Sequence, residues 1–258
     1  MLPLISNYED VPMFKSIIKS IGYALLIIIF PIVAGAIISL NKIEDPKLVL
    51  SIQALVFFLA SLLGILIYRR KDKIKSETVG LKKLVYFIPI IIVEALSLSQ
   101  GVNTSLSFQD VLLYLIFTVF VGIAEEVFFR GLILQEASKH GKRFAVFLSA
   151  LIFAISHLAN LLDGANSYYT ILQIAFAFGF GLVAALIVVL RESLIPVIVW
   201  HIIHNFLSLI SADSQNIGVG VTKFQILISA IQVLILLIYA VYLFKLTKQM
   251  KLSKSQNL

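Results

Sequence analysis

Two acidic residues and one basic residue lie close together in an otherwise apolar stretch. Glu125, Glu126 and Arg130 fall within residues 111–134. Residues four apart are neighbours on a helix, so Glu126 can pair with Arg130. Glu125 lies ~100° further round the helix and cannot easily share that pair. The spacing therefore predicts a structural ion pair beside an available carboxylate, a group that can act as a general acid or base.

The alternative for this stretch is a helix on the surface with ordinary solvated charges. Its flanks, residues 112–121 and 127–134, are too apolar for a solvated face. Ionisable residues in a membrane helix normally face the interior of a bundle or a wet cavity. We therefore expect Glu125 to face such an interior site.

Two later segments carry the other polar groups of interest. His157 ends the apolar run 147–155, although a histidine there is commonly a core or interfacial residue. His201 and Asn205 are four residues apart and share a helix face, and His204 lies near that face. A membrane asparagine needs a hydrogen-bond partner or water, so stabilising bonds between helices are the alternative to chemistry here.

Together these groups could hydrolyse an amide bond. Glu125 and His157 would form a carboxylate–imidazole couple that activates water, and His201 and Asn205 would supply donors to an oxyanion. Glu125, His157 and His201 could instead form a two-histidine, one-carboxylate site for a divalent metal such as zinc. There is no HExxH motif to favour the metal. The chain also has no cysteine, which excludes disulfides, thiolate catalysis and cysteine-ligated zinc.

The three motifs Glu125-Glu126-x-x-x-Arg130, Phe153-x-x-x-His157 and His201-x-x-x-Asn205 resemble the CAAX-protease and bacteriocin-processing (CPBP) family of intramembrane proteases. That family includes the Ras-converting CAAX endopeptidase and many bacterial Abi-type proteins, and the resemblance covers roughly residues 111–206. It implies that Glu125 and His157 activate the water and that His201 and Asn205 form the oxyanion site. Glu126 and Arg130 would then hold the helix. Both metal-dependent and glutamate-type mechanisms are argued for the family.

The elements that must position these residues are membrane helices. The chain has 258 residues, of which 60% are hydrophobic and 14% charged. This composition indicates an all-α polytopic membrane protein with an intramembrane polar cavity. About eight segments could each cross the bilayer at ~20 residues. They are 16–40, 47–68, 84–100, 111–136, 144–160, 169–190, 194–210 and 224–244. Pro31 and Pro89 fall inside predicted spans and are expected to kink them.

The loop charges predict the orientation of the bundle. Basic residues concentrate in alternate loops, above all in residues 69–83, 139–143 and the tail from Lys245, whereas the other loops hold only Lys42, Lys47 and Lys223. The positive-inside rule then places both termini in the cytoplasm. The chain divides into a cytoplasmic segment 1–15, N-terminal helices 16–110, a catalytic core 111–210, and a last helix with a basic tail, 211–258. The Lys- and Ile-rich composition favours a bacterial plasma membrane.

The leading hypothesis is an intramembrane endopeptidase that cuts near the cytoplasmic side. Its partners would be the lipid bilayer and a peptide or lipidated protein substrate. We expect no nucleic-acid partner, because the distribution of the basic residues fits membrane topology better than nucleic-acid binding. The second hypothesis is a non-catalytic bacteriocin-immunity or scaffold protein. The third is a proton-coupled transporter, which the lack of internal repeats disfavours. Glu94 has no obvious partner in the sequence, and we expect it to hydrogen-bond within the bundle.

Overall fold

The computed structural model describes residues 12–69, 87–99, 101–161, 167–212 and 222–255, and the side chains of the last helix through Thr247. The chain in these ranges is helical. Its α-helices are α1 (Met13–Leu40), α2 (Pro46–Arg69), α3 (Ile88–Leu98), α4 (Phe108–Glu126), α5 (Leu134–Ala137), α6 (Lys142–Ser156), α7 (Ser167–Arg191), α8 (Ile195–Ile210) and α9 (Lys223–Ser255). A π-helical segment, Val127–Ile133, joins α4 to α5. Short 3-10 turns follow α5 at Ser138–His140 and α6 at His157–Leu161.

The architecture confirms the predicted all-α polytopic membrane fold. Six helices of the described chain are long and apolar enough to cross a membrane, and the continuous helix Phe108–His140 is one of them. Two of the predicted spans are shorter helices: α3 has 11 residues and α8 has 16. Residues 84–86 and 100 of the predicted third span lie outside the described residues, as do the N-terminal segment 1–11 and most of the basic loop 69–83.

The two prolines behave differently. Pro31 lies inside α1, as the sequence predicts. Pro89 lies in the first turn of α3 rather than in a helix interior. A proline there removes an N–H that has no intrahelical partner in any case, so no kink is needed. The expected kink at Pro89 is therefore wrong, because α3 starts later than the apolar pattern suggested.

Two glycines allow the central helices to approach closely. A Cβ added at Gly122 of α4 would lie 2.8 Å from Ile202 Cγ1 of α8. A Cβ added at Gly181 of α7 would lie 2.9 Å from the Ala150 Cα of α6. Both distances are below van der Waals contact, so any side chain would force the helices apart. Small residues thus bring α4 against α8 and α6 against α7, the close packing typical of membrane bundles.

The turn between α7 and α8 lies inside the bundle and not at the same height as the ends of the neighbouring helices. Leu194, just before α8, lies beside Gly131, where an added Cβ would be 3.4 Å from Leu194 Cδ1. Gly131 is nine residues before His140, the end of that long helix. At ~1.5 Å per residue, α8 therefore starts roughly 13 Å inside the bundle. This explains how a helix of 16 residues can still bring its polar face to the centre.

The two ends of the bundle differ in charge. We call the end where α1 begins and α5 ends the basic end. There the buried Glu136 binds Lys19 at 3.1 Å and Lys139 at 2.8 Å. We call the opposite end, where α4 begins and α8 ends, the Phe108 end. At this end the backbone N–H of Asn103 donates a hydrogen bond to the Ile210 carbonyl at 2.8 Å. This bond connects the end of α8 to the segment before α4.

Candidate active site

The helix that carries the acidic residues changes its geometry next to them. It is α-helical through Glu126 and π-helical over Val127–Ile133, where all seven residues are buried. A π-segment widens the helix locally and is often found at functional sites. Here the π-segment begins directly after the two glutamates and contains Arg130. The helix is therefore irregular at the point where the sequence concentrates its charge.

Glu126 and Arg130 form a fully buried ion pair. Arg130 Nη1 donates to Glu126 Oε1 at 2.8 Å, and neither side chain is accessible to solvent. The guanidinium carbon lies 4.2 Å from the centre of the Phe153 ring and 5.6 Å from that of Phe180. These rings provide cation–π contacts and keep the pair out of water. The arrangement matches the spacing from which the pair was predicted, and a buried charge of this kind requires its partner.

His201 links both glutamates across the α4–α8 contact. Its Nδ1 lies 2.8 Å from Glu126 Oε1, and its Nε2 lies 3.4 Å from Glu125 Oε2. We call Glu125, Glu126, Arg130 and His201 the cavity cluster. A carboxylate on Nδ1 fixes the orientation of an imidazole. In this cluster Glu126 Oε1 contacts both Arg130 Nη1 and His201 Nδ1.

His157 is held by its own helix. Its Nδ1 lies 2.9 Å from the Phe153 carbonyl, and its ring meets the Phe153 ring edge to face at 4.9 Å. A carbonyl can only accept, so Nδ1 carries the hydrogen and Nε2 of the neutral ring is an acceptor. Among the described residues, Glu125 contacts His201 and makes no hydrogen bond with His157. The couple expected from the sequence is therefore not preformed, although both residues reach the same cavity.

That cavity has a volume of about 330 Å³ and lies between α1, α2, α4, α6, α7 and α8. Glu125, His157, His201 and Asn205 all line it. The structure thus brings together the four residues proposed for chemistry, although they come from three separate motifs. Apolar side chains of α1 and α2 form one wall. Amide side chains form much of the rest, and they are Gln53, Asn160, Gln173 and Asn205.

A second carboxylate–histidine group lies on another side of α8. Glu94 of α3 accepts from Trp200 Nε1 at 2.8 Å, and its two oxygens each lie 3.2 Å from His204 Nδ1. The His204 ring stacks on Phe176 with centroids 4.4 Å apart. We call Glu94, Trp200 and His204 the α3 cluster. The sequence suggested a hydrogen-bonded Glu94 but not its partners, since α3 and α8 are far apart in the chain.

The described side chains do not offer a ready metal site. No group of three His, Cys, Asp or Glu side chains in these ranges is arranged so that it could hold a metal ion. Both ring nitrogens of His201 already face carboxylates, and His157 Nδ1 faces a carbonyl. The set Glu125, His157 and His201 therefore does not fit a preformed ligand triad.

Comparison with known families agrees with the motifs. Residues 107–207 match the family model described as type II CAAX prenyl endopeptidase Rce1-like. The chain carries an Rce1-like segment. The match confirms the resemblance to the CPBP family, and this Rce1-like segment contains every residue of the cavity cluster together with His157 and Asn205. Glu94 of the α3 cluster lies outside it. No curated protein and no solved structure gives a significant match to the chain.

The Rce1-like family is a family of proteases, which supports a peptidase. The segment begins at the N-cap of α4 and ends within α8, so it spans the helices that form most of the cavity. The chain is therefore a membrane protein with a CAAX-protease-like core.

Proposed function

We propose that this protein is an intramembrane endopeptidase that hydrolyses a peptide bond in a membrane-associated peptide or protein. The observation that carries the proposal is the convergence of Glu125, His157, His201 and Asn205 on one cavity within an Rce1-like segment. A carboxylate, two imidazoles and an amide at one wet site are sufficient for acid–base hydrolysis of an amide.

In the proposed reaction, Glu125 takes a proton from a water molecule held between it and His157. The resulting hydroxide attacks the carbonyl carbon of the substrate. The oxyanion accepts hydrogen bonds from the Asn205 amide and from the Nε2–H of protonated His201, which Glu125 releases once it has taken up the water proton, while Glu126 and Arg130 fix the position of His201. Collapse of the tetrahedral intermediate breaks the C–N bond. Glu125 returns its proton to the leaving amine, so the products are one carboxylic acid and one amine, which exchange a proton to give a carboxylate and an ammonium group.

The amide wall of the cavity suits an extended peptide. Asn160 Nδ2 donates to Gln173 Oε1 at 2.8 Å. This bond leaves the Asn160 carbonyl oxygen and the Gln173 amino group available to a substrate. One acceptor and one donor side by side match the N–H and C=O of a peptide backbone. Each such bond contributes about 1 kcal/mol of net binding free energy. The apolar lining residues Ile27, Ile28 and Phe57 would take a hydrophobic side chain of the same peptide.

We also propose that both termini face the cytoplasm and that the membrane is a bacterial plasma membrane. The charge pattern of the loops supports the orientation, and the Lys- and Ile-rich composition supports the bacterial membrane. Two more substrate classes follow from the family: a prenylated C-terminus and a bacteriocin or signalling precursor. A bacterial host favours the precursor peptide.

The test is product identification by mass spectrometry in cells that express the wild-type chain or Glu125→Gln. New peptide termini should appear with the wild type and be absent with Glu125→Gln at equal membrane expression. Glu44→Gln is the matched control, because it neutralises an exposed carboxylate between α1 and α2. If Glu125→Gln gave the same products as the wild type, Glu125 would not be the general base. A wild type that binds peptides without cutting them would instead favour the immunity or scaffold hypothesis.

Metal content is a separate measurement. The purified wild type should cleave its substrate after chelator treatment and should contain no stoichiometric zinc. A loss of activity with chelator that zinc restores would overturn the metal-free scheme and favour ligation by Glu125, His157 and His201 once substrate is bound.

A further inference from the structure

One wall of the cavity comes from helices that the Rce1-like segment does not contain. That segment covers residues 107–207, whereas α1 and α2 end at Leu40 and Arg69. These two helices nevertheless line the cavity beside Glu125. We call their lining residues the α1–α2 wall, and they are Ile27, Ile28, Pro31, Gln53 and Phe57. The reacting groups therefore face a surface that belongs to this chain and not to the matched family core.

Pro31 gives this mostly apolar wall a backbone acceptor. Pro31 lies inside α1 and has no N–H, so the Ile27 carbonyl lacks the donor that a regular helix would provide. A helical carbonyl points along the axis toward the residue four positions ahead. Ile27 and Pro31 are those two residues, and both line the cavity. Ile27 is only 3% exposed, so a donor for its carbonyl must come from the cavity side and not from lipid.

Gln53 of α2 adds a side-chain amide to the same wall. Gln53 is half-buried, and within the described ranges its amide has no hydrogen-bond partner. An amide side chain offers an NH₂ donor and a carbonyl acceptor. Together with the Ile27 carbonyl it forms a set of donor and acceptor groups on a surface that is otherwise apolar. This combination suits a ligand with a polar backbone and apolar side chains.

An extended peptide has hydrogen-bonding groups along both of its edges, because successive N–H and C=O groups point to opposite sides. The Asn160–Gln173 pair can bind one edge, and the α1–α2 wall can bind the other. A helical peptide could use neither wall in this way, since its N–H and C=O groups are already bonded within the helix.

We infer that the α1–α2 wall is a substrate-binding site, in which the Ile27 carbonyl and the Gln53 amide bind the second backbone edge of an extended apolar peptide. This assignment rests on the proposed function for the word substrate, but the binding itself does not depend on catalysis. The substrate must have a free backbone N–H opposite Ile27, so a proline at that position is excluded. The competing explanation is that Pro31 only bends α1 and so shapes the wall.

The test measures peptide binding to the full chain in lipid nanodiscs. Every protein carries Glu125→Gln, so that a bound peptide is not cut. The probe is radiolabelled acetyl-Leu-Ala-Leu-Ala-Leu-amide, together with forms in which each internal amide linkage in turn is replaced by an ester. An ester lacks the N–H and keeps the extended shape. Retention by empty nanodiscs is subtracted. With Pro31 present, the ester at the linkage that meets Ile27 should weaken binding about 5-fold.

Pro31→Ala restores the helical bond to the Ile27 carbonyl and so removes the acceptor. It should bind the all-amide peptide about 5-fold more weakly, and the ester at that linkage should then cause no further loss. Pro46→Ala is the matched control, because Pro46 is the first residue of α2 and its missing N–H frees no helical carbonyl. This control should keep both the affinity and the ester effect.

Gln53→Leu keeps the size of the side chain without its amide and should weaken binding about 5-fold. Ser51→Ala is its control on the same helix, since the Ser51 hydroxyl is exposed and bonds to its own helix. It should bind as tightly as the parent protein. Equal affinities of Gln53→Leu and Ser51→Ala would overturn the assignment of Gln53.

The ester comparison separates binding by the Ile27 carbonyl from a bend in α1. A bend would change the affinity for the amide and ester peptides alike, so the same ester effect in Pro31→Ala would overturn the site. Absence of binding to the all-amide peptide would overturn it as well. If the expected pattern is found and the wild type makes no products in cells, the site stands and the peptidase is refuted. Products without this pattern would refute the site alone.

Discussion

The helix α8 contacts two carboxylate–histidine groups that have similar composition and different surroundings. In the cavity cluster, His201 meets Glu125 and Glu126. In the α3 cluster, His204 meets Glu94. The Glu94 carboxylate is occupied by two donors, and His204 is covered by Phe176. Glu125 has one long contact of 3.4 Å and borders a cavity. A carboxylate beside a histidine is thus available for chemistry only where it keeps unoccupied acceptor positions and access to water.

The comparison also separates support from catalysis on one helix. Trp200 and His204 fix α8 to α3, and His201 and Asn205 face the cavity. The Trp200 ring also packs on Phe180 at 4.1 Å, and Phe180 contacts the His201 ring at 4.9 Å. The α3 cluster therefore acts on the cavity cluster through the position of α8 and through the Phe180 ring of α7.

Neutralising one glutamate in each cluster gives the sharpest contrast. Glu125→Gln should lower the rate of peptide cleavage in proteoliposomes about 1000-fold, because general-base catalysis is lost. Glu94→Gln should lower it less than about 10-fold, since an amide oxygen can still accept from Trp200. Initial rates on the identified substrate measure both. Equal losses would show that the two carboxylates do not have different roles.

Removing the buried cation tests the support within the cavity cluster. Arg130→Met leaves the Glu126 charge buried without its guanidinium and should lower the free energy of unfolding by about 3 kcal/mol. Lys19→Met is the control. Lys19 is 52% exposed in its bridge to Glu136, and its loss should cost less than about 1 kcal/mol.

Denaturation in mixed micelles, followed by circular dichroism, measures both variants. The double variant Glu126→Gln, Arg130→Met should recover most of the lost stability, because no unpaired charge remains. A stability loss in Arg130→Met no larger than that in Lys19→Met would contradict a dry ion pair.

The close approach of α4 and α8 should matter for the cavity cluster alone. Gly122→Ala places a methyl group against Ile202 and should destabilise the fold by about 2 kcal/mol, as overpacking does. It should also slow cleavage, because Glu125 and His201 lie on the two separated helices. Gly22→Ala is the control, since a Cβ there meets no atom within 4 Å. A Gly122→Ala protein with full activity would show that the α4–α8 contact does not determine the geometry of the cavity cluster.

The α3 cluster contains its own optical probe, because Trp200 is the single tryptophan of the chain. Glu94→Leu removes the acceptor of the indole N–H and should cost about 1 kcal/mol or somewhat more. It should also shift the fluorescence emission, whereas Glu94→Gln should leave the emission close to that of the wild type.

Gln232→Leu is the matched control for that experiment. Gln232 donates hydrogen bonds to the Val93 carbonyl and the Ser97 hydroxyl of α3, and neither of these bonds involves Trp200. Its loss should weaken the attachment of α3 without changing the tryptophan emission. An identical emission shift in Gln232→Leu and Glu94→Leu would show that the probe reports general loosening and not the bond to Glu94.

The sequence was sufficient for features that depend on one helix at a time. Apolar runs predicted the membrane helices, and the family resemblance rested on three short motifs. The four-residue spacing of Glu126 and Arg130 placed them side by side, because the helical rise and rotation are fixed. The π-helical segment that carries Arg130 did not change this neighbourhood.

Only the tertiary structure decided how the helices meet. The depth at which α8 starts brought His201 rather than His157 to Glu125, and it gave Glu94 its partners on a helix more than a hundred residues away. These outcomes depend on helix depth and close packing at glycines, such as Gly122. Periodicity within a segment contains no information about the depth or tilt of the neighbouring helix. The residues of the site could therefore be named from the sequence, but the residues that each of them contacts could not.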